Sequence, residues 1–259
     1  MARCAYVGAA FAALIAALVA VRLAGTQSGA DLGTGTMFDR IAPHYDRANG
    51  VMSLGLHHGW RRALVDALDV NDSDVVLDAA TGTADVALLA GAAGARVLGV
   101  DPSANMLAIG REKVAAAGLA RRVALELGDA TDLAAYKNAT FDKLTISFGI
   151  RNIPDVAGAL AELRRVAKPG ATLGVLEFAV PEAGPLAPLA RAFVAGVVPA
   201  LGALLSGAAW DEYAHLARSI AAFPPPAAFR ELVASAGFET RAPARFACGA
   251  VVLYVGTAS

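Results

Sequence analysis

The sequence predicts one α/β domain whose sheet is mostly parallel and doubly wound, closed at its edge by an antiparallel C-terminal hairpin. Two observations carry this reading. From Asp74 onward, short apolar runs alternate with helical patterns, as parallel βαβ units require. The last two strand-like runs, Glu239–Ala247 and Gly249–Thr257, follow one another with no helix between them, and such a connection suits antiparallel neighbours.

The elements follow in order. Val75–Ala79 reads as a buried strand, Asp85–Ala93 as a helix and Arg96–Asp101 as the second strand. Ser103 can cap a helix running to Ala117, in which Met106, Leu107, Ile109 and Gly110 mark one close-packed side. Val123–Asp129 and Phe141–Gly149 are the third and fourth strands. Asp155–Ala167 is a helix ended by Pro169–Gly170, and Thr172–Phe178 is the fifth strand. The alternation then stops. Pro181–Ala209 is apolar, punctuated by proline, and reads equally as a helical insertion lining a greasy pocket or as an excursion packed on the core. Pro225–Gly237 is a last helix with proline in its first turn.

Composition narrows the function classes. Of 259 residues, 56% are apolar and 17% charged, which excludes general disorder. A formal net charge of −1 gives no electrostatic footprint for nucleic acid. Cys4 and Cys248 make no disulfide framework, in keeping with a reducing compartment. His44, His57, His58 and His215 show no metal-ligand spacing, and the pair His57–His58 reads as a solvated turn. Residues 1–23 differ from the rest: Cys4 to Val21 is an uncharged apolar run between Arg3 and Arg22. It fits a signal anchor, a cleaved targeting leader or a buried helix. Residues 24–36 are rich in Gly, Thr and Ser and read as a flexible linker, so the folded domain, 37–259, starts near Met37.

The strongest site signal is Asp78-Ala79-Ala80-Thr81-Gly82-Thr83-Ala84-Asp85, at the turn from first strand to first helix. Ligands bind at the carboxyl ends of such strands, and small residues let the backbone approach them. Asp78 can face the positive end of a bound sulfonium amino acid. Asp101 ends the second strand, where a carboxylate can accept both hydroxyls of a ribose. Asp129-Ala130 ends the third, where a carboxylate can meet an adenine amino group. These positions also fit NAD, but the full G-x-G-x-x-G is absent and a dehydrogenase sheet runs parallel to its end. A sheet closed by a hairpin is the Rossmann-like layout of class I S-adenosylmethionine-dependent methyltransferases. The fourth strand ends in Ser147-Phe148-Gly149-Ile150-Arg151-Asn152, which sets a guanidinium and a carboxamide at the presumed site or pairs the arginine with a neighbouring acid.

From Met37 to about Gly256 the chain resembles the quinone C-methyltransferases of ubiquinone and menaquinone biosynthesis, the UbiE/MenG/COQ5 family. The resemblance rests on several segments in order: Met37-Phe38-Asp39-Arg40-Ile41-Ala42-Pro43-His44-Tyr45-Asp46, Ser53-Leu54-Gly55 with Trp60-Arg61-Arg62, Phe148 to Asn152, Leu176-Glu177-Phe178, Tyr213 with Ser219-Ile220 and Phe223-Pro224, and Tyr254-Val255-Gly256. It implies S-adenosyl-L-methionine as cofactor, with contacts at Thr83, Asp101, Asp129, Ala130 and Ser147, to which the loop adds Asp78 and Gly82. It implies that Arg151, Asn152 and Tyr45 stand at the reacting end, with Arg151 orienting or activating a water. It also implies a prenylated quinol as substrate. The leading apolar run would hold the enzyme at the membrane where that substrate lies, peripherally or by its N-terminus, or else begin a plastid or mitochondrial leader, for which it is too hydrophobic and too poor in Arg and Ser. The sequence leaves oligomeric state and the choice of quinone open. The family's glycine loop reads G-T-G-D, whereas here Ala84 stands at the third position, and Ala171 follows Lys168-Pro169-Gly170 where the family has a second glycine. Methylation of a sterol or phenolic, or a scaffold role without cofactor, are the competing readings.

Overall fold

The computed structural model describes residues 33–180 and 210–259. The expectations for Cys4–Val21, for most of the linker and for the insertion 181–209 lie outside the described residues. Two helices precede the sheet, α1 (Gly35–Met52) and α2 (Leu56–Ala67), and α1 starts two residues before Met37. Then come β1 (Val75–Ala79), α3 (Asp85–Ala92), β2 (Arg96–Asp101), α4 (Ala104–Ala116), β3 (Val123–Leu127), β4 (Phe141–Ser147), α5 (Val156–Val166) and β5 (Ala167–Phe178). Beyond residue 209 follow α6 (Trp210–Ala222), α7 (Pro226–Ser235), β6 (Phe238–Thr240), β7 (Ala244–Phe246) and β8 (Val251–Ala258).

The strand order is β3-β2-β1-β4-β5-β8-β6, with β7 also paired to β8. Contacts among β1 to β5 are parallel, and β8 runs antiparallel to β5, β6 and β7. The fold class read from the sequence is therefore the one observed. β1 has β2 on one side and β4 on the other, so the order reverses there and a crevice opens at the strands' carboxyl ends.

Period-two alternation feeds the two faces of the sheet. Leu77, Leu144, Ile146 and Val175 join one core with Leu160 and Leu163 of α5, Phe229 of α7 and Tyr254 of β8. Val76, one residue from Leu77, joins the other with Ala87 and Ala90 of α3 and Leu107 and Val114 of α4. Leu64 and Val65 of α2, with Leu68 just beyond its end, cover Leu176, Leu253 and Val255. Ser103 caps its helix as expected, its Oγ accepting from Met106 N at 3.1 Å, and Asp155 caps α5, its Oδ1 accepting from Gly158 N at 2.8 Å.

Three details depart from the sequence reading. β3 stops at Leu127, because Gly128 N turns to Asp101 O (3.1 Å) and Asp129 bridges Asp132 in a tight turn. The helix α5 passes straight into β5, so Pro169–Gly170 ends no helix. It forms a bulge in the strand, where pairing jumps from Phe141↔Ala167 to Lys143↔Thr172. The final hairpin is present, but its first strand is split into β6 and β7 around Arg241-Ala242-Pro243, and proline has no N–H for the ladder.

Phe229 is fully buried with its ring 4.8 Å from those of both Phe223 and Tyr254. Phe229→Ala should lower the unfolding free energy by about 3–5 kcal/mol, read as a shift of the urea midpoint.

Candidate active site

The loop after β1 is held in an uncommon backbone conformation. Ala80, Gly82 and Ala84 all have positive φ (52°, 56° and 68°). Thr81 N donates to Val100 O at 3.0 Å, Ala84 N to Thr81 O at 2.9 Å and Gly82 N to Asp101 Oδ2 at 2.8 Å. A left-handed alanine costs about 1–2 kcal/mol. The methyl of Ala84 is buried in the core with Leu107 and Val114 rather than turned toward the crevice. Gly110 of α4 makes the room, since a Cβ there would come within 3.2 Å of the Ala84 methyl.

Asp78 lies beneath this loop. Its two oxygens accept from Thr81 Oγ1 and Thr145 Oγ1, each at 2.6 Å. Burial outweighs both bonds and pushes its carboxyl up to about 6. Asp78, expected to face a ligand's positive end, is instead buried beneath the loop and is absent from the crevice lining.

The crevice holds a cavity of about 270 Å³, near the small end for ligand sites. Of the sequence-predicted binding residues, Gly82, Asp101, Asp129, Ala130 and Ser147 line it, as do Tyr45 and Asn152. Asp101 accepts from Gly82 N and, at 2.9 Å, from Ser103 N, one bond per oxygen, which leaves each oxygen a lone pair. Its carboxyl is raised by burial and by nearby Asp39. Asp129 Oδ1 accepts from the N–H and hydroxyl of Thr131, both at 2.8 Å, and neither bond involves Oδ2. Two buried atoms of the lining, Ser147 Oγ and Asn152 Nδ2, have no hydrogen-bond partner among the described residues. Buried polar atoms are almost always paired, so these two are what a polar ligand would satisfy.

One wall comes from α1, whose polar residues tie it to the sheet domain. Asp39 Oδ1 accepts from Ser103 Oγ (2.6 Å) and Asn105 N (2.9 Å) at the start of α4, where a helix end favours an anion. Asp46 accepts from Thr83 Oγ1 (2.6 Å) and Lys113 Nζ (3.0 Å), and Lys113 also pairs with Asp85. Thr83, expected at the cofactor, therefore spends its hydroxyl on α1 and lies outside the lining. Tyr45 stands edge-on to Phe38 at 6.3 Å, and burial raises its phenol above the usual value, so it remains a donor at neutral pH.

Arg151, expected at the reacting end or paired with a neighbouring acid, is found in the second arrangement. Its Nη1 donates to Phe148 O (2.6 Å) and Glu177 Oε1 (2.7 Å), and its Nε to Ser219 Oγ (3.3 Å). The guanidinium lies 5.3 Å over the Phe178 ring and is absent from the cavity lining. Glu177 is fully buried and also accepts from Phe178 N at 2.7 Å. The guanidinium is thus committed to a buried carboxylate, and the cavity-facing group of this turn is Asn152. Sequence reasoning missed His215, whose Nε2 lies 3.2 Å from Asn152 Oδ1. Its helix was flagged by Ser219-Ile220, but nothing local marks a partner 63 residues away. His57, expected in a solvated turn, is buried in α2 with Nδ1 2.6 Å from Ser53 Oγ. Among the described residues no cluster of three His, Cys, Asp or Glu side chains could hold a metal.

Comparisons with known proteins bear on this geometry. The model of the ubiE/COQ5 methyltransferase family matches residues 27–258. A demethylmenaquinone methyltransferase from Thermus thermophilus is 44% identical over 79% of this chain and 92% of its own length. A ubiquinone/menaquinone biosynthesis C-methyltransferase from Geotalea daltonii is 35% identical over 85% of this chain and 94% of its own. Among solved structures, a SAM dependent methyltransferase from Aquifex aeolicus superposes with a TM-score of 0.56 at 16% identity, covering 77% of this chain and 89% of that one, a likeness of fold.

Asp78 and His57 act on stability in opposite directions over one pH range. Folding raises Asp78 from 3.8 to about 6, so the native state holds that proton longer and its contribution fades as pH rises through this window. Folding lowers His57 from 6.5 to about 4 through burial and the Arg61 charge, so its contribution fades as pH falls through that window. The stability of Asp78→Asn relative to the parent chain should therefore rise between pH 4 and pH 6, by on the order of 2–3 kcal/mol, and stay level above. Urea unfolding at a series of pH values reads this out.

Proposed function

This chain belongs to the ubiE/COQ5 methyltransferase family, and we propose on that premise that it methylates a ring carbon of a prenylated hydroquinone, with S-adenosylmethionine as donor. The observation that carries the reading is the set of polar groups gathered at the crevice: the carboxylates of Asp101 and Asp129, and Ser147 Oγ and Asn152 Nδ2, which have no partner among the described residues. The donor set fits the cofactor. Asp101 has lone pairs left for two ribose hydroxyls, Asp129 has a free oxygen for an adenine amino group, and the Ala80–Ala84 loop brings bare backbone to the ligand. When bound, S-adenosylmethionine supplies a methyl group made electrophilic by its sulfonium.

The chain's own part is alignment and exclusion of water. Tyr45 and Asn152 present donors at the cavity wall, suited to a ring oxygen whose charge grows as the neighbouring carbon attacks. The reaction replaces a ring C–H by C–CH3 and releases one proton. Arg151 supports this indirectly, by fixing the turn that carries Asn152 to Glu177. The 44%-identical relative, named for demethylmenaquinone, favours a naphthoquinol over a benzoquinol. The apolar run Cys4–Val21 supports placement at the bilayer that holds such a substrate, although no described helix is long and apolar enough to cross a membrane.

The direct test gives the full chain labelled S-adenosylmethionine with a reduced demethylnaphthoquinone and, separately, a reduced methoxybenzoquinone. Labelled naphthoquinol is the expected product. Cofactor binding with no labelled product from either acceptor would defeat the quinol assignment. Arg151→Ala leaves Glu177 buried and unpaired, so it should lower the unfolding free energy by about 3–5 kcal/mol, a loss visible in thermal denaturation without any substrate.

A further inference from the structure

Helix α6 contacts the turn Ile150–Asn152 through two side chains one helical turn apart. Ser219 Oγ accepts from Arg151 Nε at 3.3 Å, and His215 Nε2 lies 3.2 Å from Asn152 Oδ1. His215 itself is absent from the cavity lining, whereas Asn152 belongs to it. Space around the imidazole is tight, for a Cβ on Gly33 would come within 2.9 Å of its Nε2. The charged groups facing it are Arg151 and, on its own helix, Arg218, and together with burial they hold the imidazole below its ordinary value. It is therefore neutral at physiological pH, with one N–H to place.

A carboxamide has one acceptor and one donor end. With Oδ1 at the imidazole, the remaining end of Asn152 is the buried Nδ2, which has no partner among the described residues. We propose that His215 is a positioning residue for the methyl acceptor: its Nε2–H holds Asn152 Oδ1, and this aims Asn152 Nδ2 into the cavity as a donor to an oxygen of the acceptor's ring. The inference rests on the quinol reading above. It makes the 3-10 turn, α6 and the start of α1 near Gly33 one unit. Without the imidazole, the amide is free to rotate and to present its oxygen, which would face the acceptor oxygen with like partial charge.

The test compares His215→Gln, whose amide nitrogen reaches the place of Nε2, with His215→Phe, which keeps the bulk and removes the donor. Both are assayed with reduced demethylnaphthoquinone in the full chain, beside calorimetric titration with S-adenosylmethionine. His215→Phe should lose on the order of tenfold in kcat with little change in cofactor affinity, and His215→Gln should recover most of it. In an Asn152→Ala background, His215→Phe should cost nothing further. Equal rates in the Gln and Phe variants, or an undiminished effect of His215→Phe without Asn152, would overturn the role. If His215→Phe fails to fold, His215→Leu, which also lacks the donor, takes its place alone and in the Asn152→Ala background. Absence of turnover by the parent chain defeats the acceptor assignment and this role together, whereas parent turnover that His215→Phe preserves defeats only the role.

Discussion

The site rests on a buried carboxylate at the point where the sheet reverses direction. Asp78 on β1 stands opposite Thr145 on β4 in the parallel register, and it accepts that hydroxyl as well as the one from Thr81 in the loop above. The two strands that flank the crevice are thereby stitched together directly under it. Carrying a carboxyl group into the core is expensive unless its lone pairs are engaged. Here the expense is met with hydroxyl donors rather than a cation, which leaves the group easy to protonate and the loop above it firmly seated. The seat matters because Ala80 and Ala84 hold left-handed backbone that an unsupported loop would relax away from.

The remaining walls are brought in by polar ties between distant parts of the chain. Asp39 and Asp46 fasten α1 at two places on the α3–α4 side. The Arg151–Glu177 pair fastens the turn after β4 to β5. Each tie leaves an apolar or amide-bearing neighbour, Phe38, Tyr45 or Asn152, at the cavity. Charged residues thus shape this site mostly by holding it, and the groups left to meet a ligand are largely neutral donors and two aspartates.

Backbone order was readable because it depends on local pattern. β1, β2 and the cap of α4 at Ser103 stand where the apolar runs and the serine placed them. The resemblance marked six residues that gather at one cavity, and the loop pattern added Gly82. Side-chain direction was not readable. Arg151 and Asn152 are adjacent, yet one turns to Glu177 and the other to the cavity, a choice made by the buried partner across the sheet. Asp78 and Thr83 sit in the expected loop, but their bonds go to Thr145 and Asp46 on other elements. The bulge at Pro169–Gly170 was hidden for a similar reason: proline and glycine signal a break, and only pairing with β4 shows that the break falls inside a strand.

The placement of β8 has a consequence for how the chain finds its fold. β5 has one neighbour within the parallel half of the sheet, and its other edge waits for a strand that begins at Val251, beyond the whole segment 179–250. Closure of so long a loop is slow. Until it occurs, the apolar stretch Leu173–Leu176 presents an open row of backbone groups, the kind of edge that recruits strands from other molecules. In the folded chain β8 covers that row, so the strand that comes last in sequence is the one that removes this open edge from the sheet.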